Sequence, residues 1–273
     1  MRIAAVQIDI AIGRTDQNLK AILGRMKEAA ANKAELVIFP ECALSGYCFT
    51  DRDEAWAVAE ELSGASCSQL ATAAKELGIV AVVGFLERDG QNLYNSALIV
   101  GARGVLGVFR KVHLLHLGVD RFTTPGDLPF PLFDAAGCKL GVNICFDCSF
   151  PESGRVLKLK GAQLLAIPTN WPITSDSWAL LPKVRAIENH IFVAAADRVG
   201  EERGFTFAGH SQIVDCEGNL LAEAGEKEEI ILYADIDPAR ADSNRVIKVA
   251  GEYEFDRIAS RRPEMYEDLT RKK

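Results

Sequence analysis

The alternation of strand-type and helix-type segments in the first third of the chain most constrains its fold. Apolar segments rich in β-branched residues occupy positions 2–10, 34–41 and 78–87. Segments with the apolar period of an amphipathic helix lie between them, at 16–33 and 66–78. Strands that alternate with helices are typical of an α/β layer. We therefore predict an α/β protein.

Two later segments interrupt this alternation, and each predicts a β-hairpin. Residues 92–114 contain two apolar runs around the turn Gly101–Gly104, and residues 211–237 contain two runs that turn at Gly218 and Asn219. Such turns join antiparallel strands. Between the two hairpins the order strand, helix, strand resumes. The sheets are therefore expected to be mixed, with strands enough for two.

Length and composition favour a single domain. The chain has 273 residues, of which 48% are hydrophobic. Layered α/β proteins of about 200–250 residues form one unit. No repeat, low-complexity tract or Pro/Ser-rich linker marks a boundary, so we predict one domain over residues 1–273. Its polar C-terminal tail, from about residue 261, is a candidate contact for a partner subunit.

Charge and cysteine usage exclude several classes of function. The formal net charge is -7, and no Lys/Arg cluster is interleaved with aromatic residues, which argues against nucleic-acid binding. The N-terminus lacks the pattern of a signal peptide, and no apolar run approaches the roughly 18 residues of a membrane span. We expect a cytoplasmic protein whose seven cysteines are reduced thiols.

Three polar residues stand at the ends of predicted strands, where functional residues of α/β layers gather. They are Glu41, Lys111 and Cys145. Each alone has a structural explanation, because a single cysteine in an apolar strand is most often a buried small hydrophobe. Together they supply a nucleophile, a cation for a developing oxyanion and a general base, which are the groups that acyl transfer needs. The spacing alone leaves open whether they converge.

A zinc site is an alternative interpretation of the same region. Cys145 and Cys148 form a C-x-x-C pair, and His113 and His116 form an H-x-x-H pair. Residues three apart on a strand face opposite sides of the sheet, so neither pair is well placed to share a metal ion. A thioredoxin-like function needs a small βαβ module, which is missing around the C-x-x-C pair. A catalytically inactive interaction module is a further alternative.

The segments around these residues resemble the nitrilase superfamily of carbon–nitrogen hydrolases. The motifs are FPECALSGY around Glu41, RKVHL around Lys111 and CFDCSFPESGRVLKLKGAQLLAIPTNW from Cys145 onwards. They occur in the family's order, and the resemblance covers nearly the whole chain. It implies a four-layer α-β-β-α sandwich with two mixed sheets. It also implies a Glu41–Lys111–Cys145 triad, no cofactor or metal, and a homodimer or higher homo-oligomer that pairs through its outer helices.

The resemblance also assigns roles around the cysteine. Cys145 would attack the substrate and form a thioester, while Glu41 would accept the thiol proton and return it to the leaving group. Lys111 and the backbone N–H of Phe146 would hold the oxyanion. The substrate-binding candidates are Tyr47, Asn170 and Trp171. The expected reaction is hydrolysis of a small linear amide to an acid and ammonia; nitrile and N-carbamoyl hydrolysis use the same triad and stay open as alternatives.

The chain departs from the family in the loop after Lys111. Many members have a second glutamate six residues before a Pro-Gly, whereas this chain has Val119 there and Asp120 beside it. A carboxylate moved by one residue and shortened by a methylene lies several ångströms away, while catalytic positioning tolerates about 0.5 Å. We therefore expect Asp120 to serve the loop by bonding backbone N–H groups, and Glu41 to be held by another polar group. On this interpretation Asp120→Asn lowers kcat/KM by less than about tenfold.

Overall fold

The structure, a computed structural model, describes residues 1–174 and 177–271. The α-helices are α1 (Thr15–Ala31), α2 (Arg52–Val58), α3 (Ala65–Leu77), α4 (Pro151–Leu159) and α5 (Leu181–Asn189). Gly78 ends α3 with a φ of +66°, a conformation that glycine adopts without strain. Within the described residues, none of the helices has the length and apolar character needed to cross a membrane.

The strands of the described chain have two to ten residues, and several in the middle of the sheets are buried along their whole length. They are β1 (Arg2–Gln7), β2 (Leu36–Ile38), β3 (Val80–Asp89), β4 (Asn92–Gly101), β5 (Gly104–Arg110), β6 (Phe133–Ala135), β7 (Cys138–Val142), β8 (Leu164–Pro168), β9 (Phe192–Ala196), β10 (Glu201–Glu202), β11 (Phe205–Thr206), β12 (Gln212–Val214), β13 (Leu220–Glu223), β14 (Ile230–Asp235), β15 (Arg245–Val249) and β16 (Tyr253–Asp256). The pairs β10–β11 and β15–β16 form separate two-stranded ribbons.

Two six-stranded sheets carry the fold. Their strand orders are β14-β1-β2-β3-β4-β5 and β13-β12-β9-β8-β7-β6. The central strands of each sheet pair in parallel and the outer strands pair antiparallel. Both predicted hairpins are present, as β4 with β5 and as β12 with β13. The prediction of two mixed sheets is therefore confirmed.

The two sheets pack face to face between outer helices. In β1, Ile3 and Ala5 enter the core that the sheets share, whereas Ala4 and Val6 enter the core under α1 and α3. Alternate residues of a strand point to opposite faces, so a strand buried on both faces is apolar throughout. Helix α5 packs on β9 and β12 of the second sheet, and α4 packs on α5 and on β7. The layer order is α-β-β-α, as predicted.

Strand direction brings the functional candidates of the first sheet to one edge. Strands β2, β3 and β5 run in the same direction, so Glu41 and Lys111 both leave this sheet at its carboxyl edge. In the second sheet β7 and β8 are parallel, and Cys145 and Asn170 follow their carboxyl ends. Strand β8 lies against β2 and β3 across the sheet interface. The site is therefore assembled from both sheets.

Candidate active site

A buried cluster of four polar side chains lies where β2, β4 and β5 meet the loop after Lys111. Lys111 Nζ donates to Glu41 Oε1 at 2.7 Å and to Asp120 Oδ2 at 2.6 Å. Asn95 Nδ2 donates to the same two carboxylates, at 2.7 Å to Glu41 Oε1 and at 2.9 Å to Asp120 Oδ1. All four side chains are buried. Because an unpaired buried charge is costly, this network fixes the position of each group.

The expectation that Asp120 serves only its own loop is wrong. A turn of 3-10 helix at Gly118–Arg121 carries Asp120 inwards, so that its carboxylate binds Lys111 and Asn95. Gly118 permits this turn, because its φ is +50° and a Cβ added to it would lie 2.4 Å from the Tyr47 ring. The turn therefore brings the Asp120 carboxylate onto Lys111 and Asn95 despite the shift of one residue and the loss of one methylene.

Asn95 is the polar group that holds Glu41, and no sequence-based prediction named it. It lies inside β4 and is buried, and its Oδ1 also accepts a hydrogen bond from Cys42 Sγ at 3.5 Å. A buried polar side chain in a central strand needs hydrogen-bond partners. The asparagine within the apolar run LYNSALIV was therefore the available signal. The expectation that another polar group holds Glu41 is confirmed.

The charges of the cluster shift the pKa of both Lys111 and Glu41. Burial lowers the pKa of Lys111, but Asp120 and Glu41 together raise it well above its ordinary value, so Lys111 is a cation. Burial raises the pKa of Glu41, Lys111 lowers it and Asp120 raises it, with a net upward direction. A raised pKa makes Glu41 a stronger proton acceptor. Within the described chain, Glu41 Oε2 has no hydrogen-bond partner, so it is free to take a proton.

Cys145 begins a turn of 3-10 helix, Cys145–Ser149, rather than ending the strand before it. Its φ is +46°, a region that residues other than glycine rarely adopt. Asp147 holds the turn, because its Oδ2 accepts from the backbone N–H of Ile144 at 3.1 Å and its Oδ1 accepts from that of His113 at 2.9 Å. Since His113 follows Lys111 closely along the chain, Asp147 ties the cysteine turn to the segment that carries the lysine.

The Cys145 thiol holds its proton in this environment. Burial raises the pKa of Cys145, and the Glu41 charge raises it further. Lys111, the Thr169 hydroxyl and the backbone N–H of Asn170 oppose this rise, yet the pKa stays well above its ordinary value. Glu41 and Lys111 both act on this pKa, so the sulfur lies within electrostatic range of both charges. A thiol in this state becomes a strong nucleophile only when a base removes its proton.

Cys145 lies in the wall of a small cavity of about 210 Å³. The other lining residues are Tyr47, Leu115, Leu117, Phe146, Asn170, Trp171 and Pro172. The structure thus brings the predicted substrate-binding residues and Phe146 together with Cys145. Within the described residues, both side-chain amide atoms of Asn170 and the indole N–H of Trp171 are buried without hydrogen-bond partners. Since buried polar groups are normally paired, these atoms are available to a ligand.

Glu202 and Arg198 fix the loop that carries Tyr47, and the sequence analysis missed both. Glu202 Oε2 accepts from the backbone N–H groups of Tyr47 and Cys48, at 3.0 and 2.9 Å. Its other oxygen binds the guanidinium of Arg198, which is fully buried. The Tyr47 hydroxyl donates to the backbone oxygen of Leu117 at 3.2 Å. Because Glu202 lies 155 positions from Tyr47, no local pattern indicated this contact.

The residues of the zinc-site alternative are engaged differently. His113 Nδ1 lies 2.7 Å from Asp147 Oδ1, and the His113 ring stacks on Phe150. His116 is exposed, whereas Cys148 is buried. In residues 1–174 and 177–271, no group of three or more His, Cys, Asp or Glu side chains is arranged to hold a metal ion. The geometry therefore gives the zinc-site interpretation no support.

The family of the chain follows from its sequence match as well as from this geometry. The family described as carbon-nitrogen hydrolase matches residues 2–245, a range that contains Glu41, Lys111, Asp120 and Cys145. The chain therefore belongs to the carbon–nitrogen hydrolase family and is an enzyme of the nitrilase superfamily. The resemblance inferred from the three motifs is confirmed.

Individual relatives are similar over most of their length. The nitrilase of Pyrococcus abyssi is 41% identical over 238 residues, covering 87% of this chain and 90% of the relative. The omega-amidase NIT2 of Mus musculus is 35% identical over 249 residues, covering 86% and 88%. A variant of an amidase from Nesterenkonia AN1, a member of the nitrilase superfamily, matches with a TM-score of 0.82 at 26% identity, covering 98% of this chain and 97% of that chain. Another variant of that amidase shows covalent addition of the acetamide moiety of fluoroacetamide at the active site cysteine.

Proposed function

We propose that the enzyme hydrolyses a small linear amide to an acid and ammonia through a thioester on Cys145. The observation that carries this proposal is the convergence of a buried thiol with the Glu41–Lys111 pair beside one small cavity. Cys145 lines the cavity, and Lys111 lies behind the Tyr47 part of its wall, with its Nζ 5.8 Å from the ring centroid. A nucleophile, a base and a cation are the groups that acyl transfer requires. Covalent addition of the acetamide moiety of fluoroacetamide at the active site cysteine of the Nesterenkonia AN1 amidase supports a nucleophilic role for Cys145.

In the first step, Cys145 Sγ attacks the amide carbon while Glu41 accepts the thiol proton. The carbonyl oxygen becomes an oxyanion, and the Lys111 ammonium and the backbone N–H of Phe146 stabilise it. The raised pKa of both reacting groups suits this step. The sulfur keeps its proton until attack begins, and the carboxylate then binds that proton strongly.

Collapse of the tetrahedral intermediate breaks the carbon–nitrogen bond. Glu41 returns its proton to the departing nitrogen, ammonia leaves, and the acyl group stays on Cys145 as a thioester. Water then attacks the thioester carbon with Glu41 accepting a water proton, and Lys111 again stabilises the oxyanion. Release of the acid returns that proton to the sulfur, so each cycle consumes one amide and one water.

Nitrile hydrolysis is the second candidate, because the Pyrococcus abyssi relative is named a nitrilase. A nitrile carbon is attacked by the same thiol and needs the same base. N-carbamoyl hydrolysis is a further alternative with the same groups. We favour the amide because relatives named omega-amidase and structural neighbours named amidase share this fold.

A panel of butyramide, butyronitrile and N-carbamoylglycine separates these reactions, with released ammonia as the readout. We expect butyramide to be hydrolysed fastest and dialysis against EDTA to leave its rate unchanged. Turnover of the nitrile or the carbamoyl compound without turnover of butyramide contradicts the amidase proposal. Loss of activity on dialysis, with recovery on adding Zn²⁺, points instead to a metal-dependent reaction.

Asp120→Asn is expected to lower kcat/KM by at least about tenfold. Asparagine offers one acceptor oxygen where Lys111 and Asn95 each need one, and a hydrogen bond to a charged group contributes about 1.5–3 kcal/mol. Asp120 raises the pKa of both Glu41 and Lys111, so its neutralisation lowers both values. Glu41 sets the acid limb of the kcat/KM profile and Lys111 the basic limb, so both limbs should move to lower pH.

The matched control for this substitution is Asp134→Asn. Asp134 is 73% exposed and pairs only with Lys139 among the described residues, so its neutralisation should leave the pH profile unchanged. A purely structural role of Asp120 predicts a lower melting temperature with unmoved pH limbs. A loss in kcat/KM of less than tenfold, with both limbs of the pH profile unchanged, would show that Asp120 only stabilises its own loop, as first expected.

We further propose that residues 1–273 form one domain that pairs with a second copy through α4 and α5. The outer faces of these helices expose apolar side chains, with exposures of 37% and 47% for Val156 and Leu159 and of 42% and 37% for Val184 and Ile187. The tail after about residue 261 lies beside them, since Tyr266 shares a groove with Arg155. An exposed apolar face of this kind fits a two-fold interface. Light scattering that gives a monomer mass at micromolar concentration counts against the dimer.

A further inference from the structure

We propose that the acyl group of the substrate is uncharged and predominantly apolar, an inference that rests on the function proposed above. The described cavity wall consists mainly of Leu115, Leu117, Phe146, Trp171 and Pro172. Around the cysteine, the wall thus presents aliphatic and aromatic surface to the part of the substrate that is not cleaved. Such a wall favours methylene and methyl groups, because transfer of apolar surface out of water is favourable.

The cations near the cavity, within the described residues, are already engaged. Lys111 binds Glu41 and Asp120, so its charge is offset twice. Arg121, at the end of the loop that lines one wall, donates to the backbone oxygens of Gly118 at 3.0 Å and Phe49 at 2.9 Å. His116 on the same loop is exposed to solvent and is not among the residues that line the cavity. A carboxylate at the far end of a substrate would therefore enter the cavity without a cationic partner, which is costly.

The net charge of the buried cluster of Glu41, Asp120 and Lys111 also disfavours a substrate carboxylate. Glu41 and Asp120 are two acids for the one base, Lys111, and all three side chains are fully buried. When Glu41 is ionised and ready to act as the base, the cluster carries an excess negative charge. The field at the cavity then repels a substrate carboxylate. Because the cluster is buried, dissolved salt screens this repulsion only weakly.

The remaining polar atoms of the wall suit a neutral group. The Asn170 side-chain amide has two N–H donors and an acceptor oxygen, and the Trp171 indole has one N–H donor. These atoms are buried and unpaired among the described residues. A carboxamide has the complementary N–H donors and carbonyl acceptor. The cavity volume of about 210 Å³ lies below the roughly 300–1,000 Å³ of pockets for drug-sized ligands. The substrate class is therefore a short aliphatic amide without a second charge.

Three amides with the same methylene chain test this class: pentanamide, the monoamide of glutaric acid and 4-aminobutanamide. Their far ends are a methyl group, a carboxylate and an ammonium. We expect kcat/KM for pentanamide to exceed that of the glutaric monoamide by about 10²-fold, which corresponds to about 2.7 kcal/mol. For 4-aminobutanamide we expect a smaller penalty that is still above about tenfold, because the excess negative charge of the cluster offsets part of the cost of burying the ammonium. A kcat/KM for either charged amide within tenfold of the pentanamide value overturns the proposal.

Binding to the Cys145→Ala protein separates this proposal from the proposed reaction, because that variant keeps the cavity and lacks the nucleophile. Pentanamide should raise its melting temperature at concentrations where the two charged amides do not. If pentanamide binds but wild-type protein does not hydrolyse it, the amidase proposal fails and the substrate class stands. If a charged amide binds as well as pentanamide does, the substrate class fails whatever the reaction.

Leu115→Arg tests whether the lack of a free cation in the cavity wall causes the discrimination against a substrate carboxylate. Leu115 is half-buried in the cavity wall, so an arginine there would offer a guanidinium to a substrate carboxylate. We expect the ratio of kcat/KM for the glutaric monoamide to that for pentanamide to rise by at least about tenfold. Leu115→Met, a neutral substitution of similar size, should keep the wild-type order. An unchanged ratio in a folded Leu115→Arg protein contradicts the proposal.

Discussion

Replacing Cys145 by alanine is expected to abolish turnover and leave the fold intact. Without the thiol no acyl–enzyme forms, and loss of a nucleophile lowers kcat by at least about 10⁴-fold. Alanine removes one sulfur atom from a cavity wall, and loss of one buried group of that size costs about 1 kcal/mol. Ammonia released from butyramide measures the loss, and the melting temperature should stay close to that of the wild type.

Mass spectrometry after acid quenching locates the thioester. We expect an acyl adduct on Cys145 in the wild type and none in Cys145→Ala. The matched control is Cys148→Ala, which removes a buried thiol of the same turn whose pKa burial raises to about 12. That control should keep turnover and the adduct on Cys145. Activity in Cys145→Ala, or an adduct on Cys148, removes the central role of Cys145.

Lys111→Met is expected to lower kcat by at least about 10²-fold, the usual effect of losing one oxyanion donor. Methionine keeps a long unbranched side chain and removes the charge. The Glu41 and Asp120 carboxylates then face each other without a cation inside a fully buried cluster. Breaking a buried charge pair costs about 3–5 kcal/mol, so the variant should also unfold at a lower temperature.

The pH dependence of the Lys111→Met variant distinguishes an electrostatic role from a packing role. Lys111 lowers the pKa of Glu41, so its removal raises that pKa further. The base is then protonated over a wider range, and the acid limb of the kcat/KM profile should move to higher pH, opposite to the shift in Asp120→Asn. An acid limb that does not move would show that Lys111 has no charge effect on Glu41.

Folding stability of the same variant should also depend on pH. A carboxyl whose pKa is raised by folding binds its proton more tightly in the folded chain. The free energy of unfolding therefore falls as pH rises from the ordinary carboxyl pKa through the raised value. Lys111→Met should melt at a higher temperature at pH 5 than at pH 8. The control Lys139→Met removes a half-exposed lysine that pairs with Asp134, and it should show neither effect.

Much of the fold was predictable because side-chain periodicity is a local property. The predicted helix at 16–33 is α1 (Thr15–Ala31), and the predicted strand at 78–87 is β3 (Val80–Asp89). The predictions did not include α2 (Arg52–Val58), although Asp51 caps it by accepting from the backbone N–H of Glu54. That helix has seven residues, too few for a clear apolar period. Short elements depend on their caps and contacts more than on periodicity.

The candidate catalytic residues could be proposed from residue type, whereas their hydrogen-bond partners could not. Glu41, Lys111 and Cys145 stand at or just beyond the ends of apolar runs, a pattern visible in the sequence. Asn95 and Glu202 meet their partners only through contacts between distant segments. Glu41 and Asn95 are 54 positions apart, and Tyr47 and Glu202 are 155 positions apart. Contacts at such separations depend on strand order and direction, which no single segment encodes.

The position of Asp120 depends on the tertiary structure and not on the local sequence. The sequence correctly indicated the type of fold and the mixed sheets, because both follow from the period of apolar residues and from turn residues. The folded chain alone places the Asp120 carboxylate on Lys111, through a glycine with a φ of +50° packed against the Tyr47 ring. Distance along a chain measures distance in space only while the backbone is regular. At a turn such as Gly118–Arg121, the three-dimensional packing determines which side chains meet.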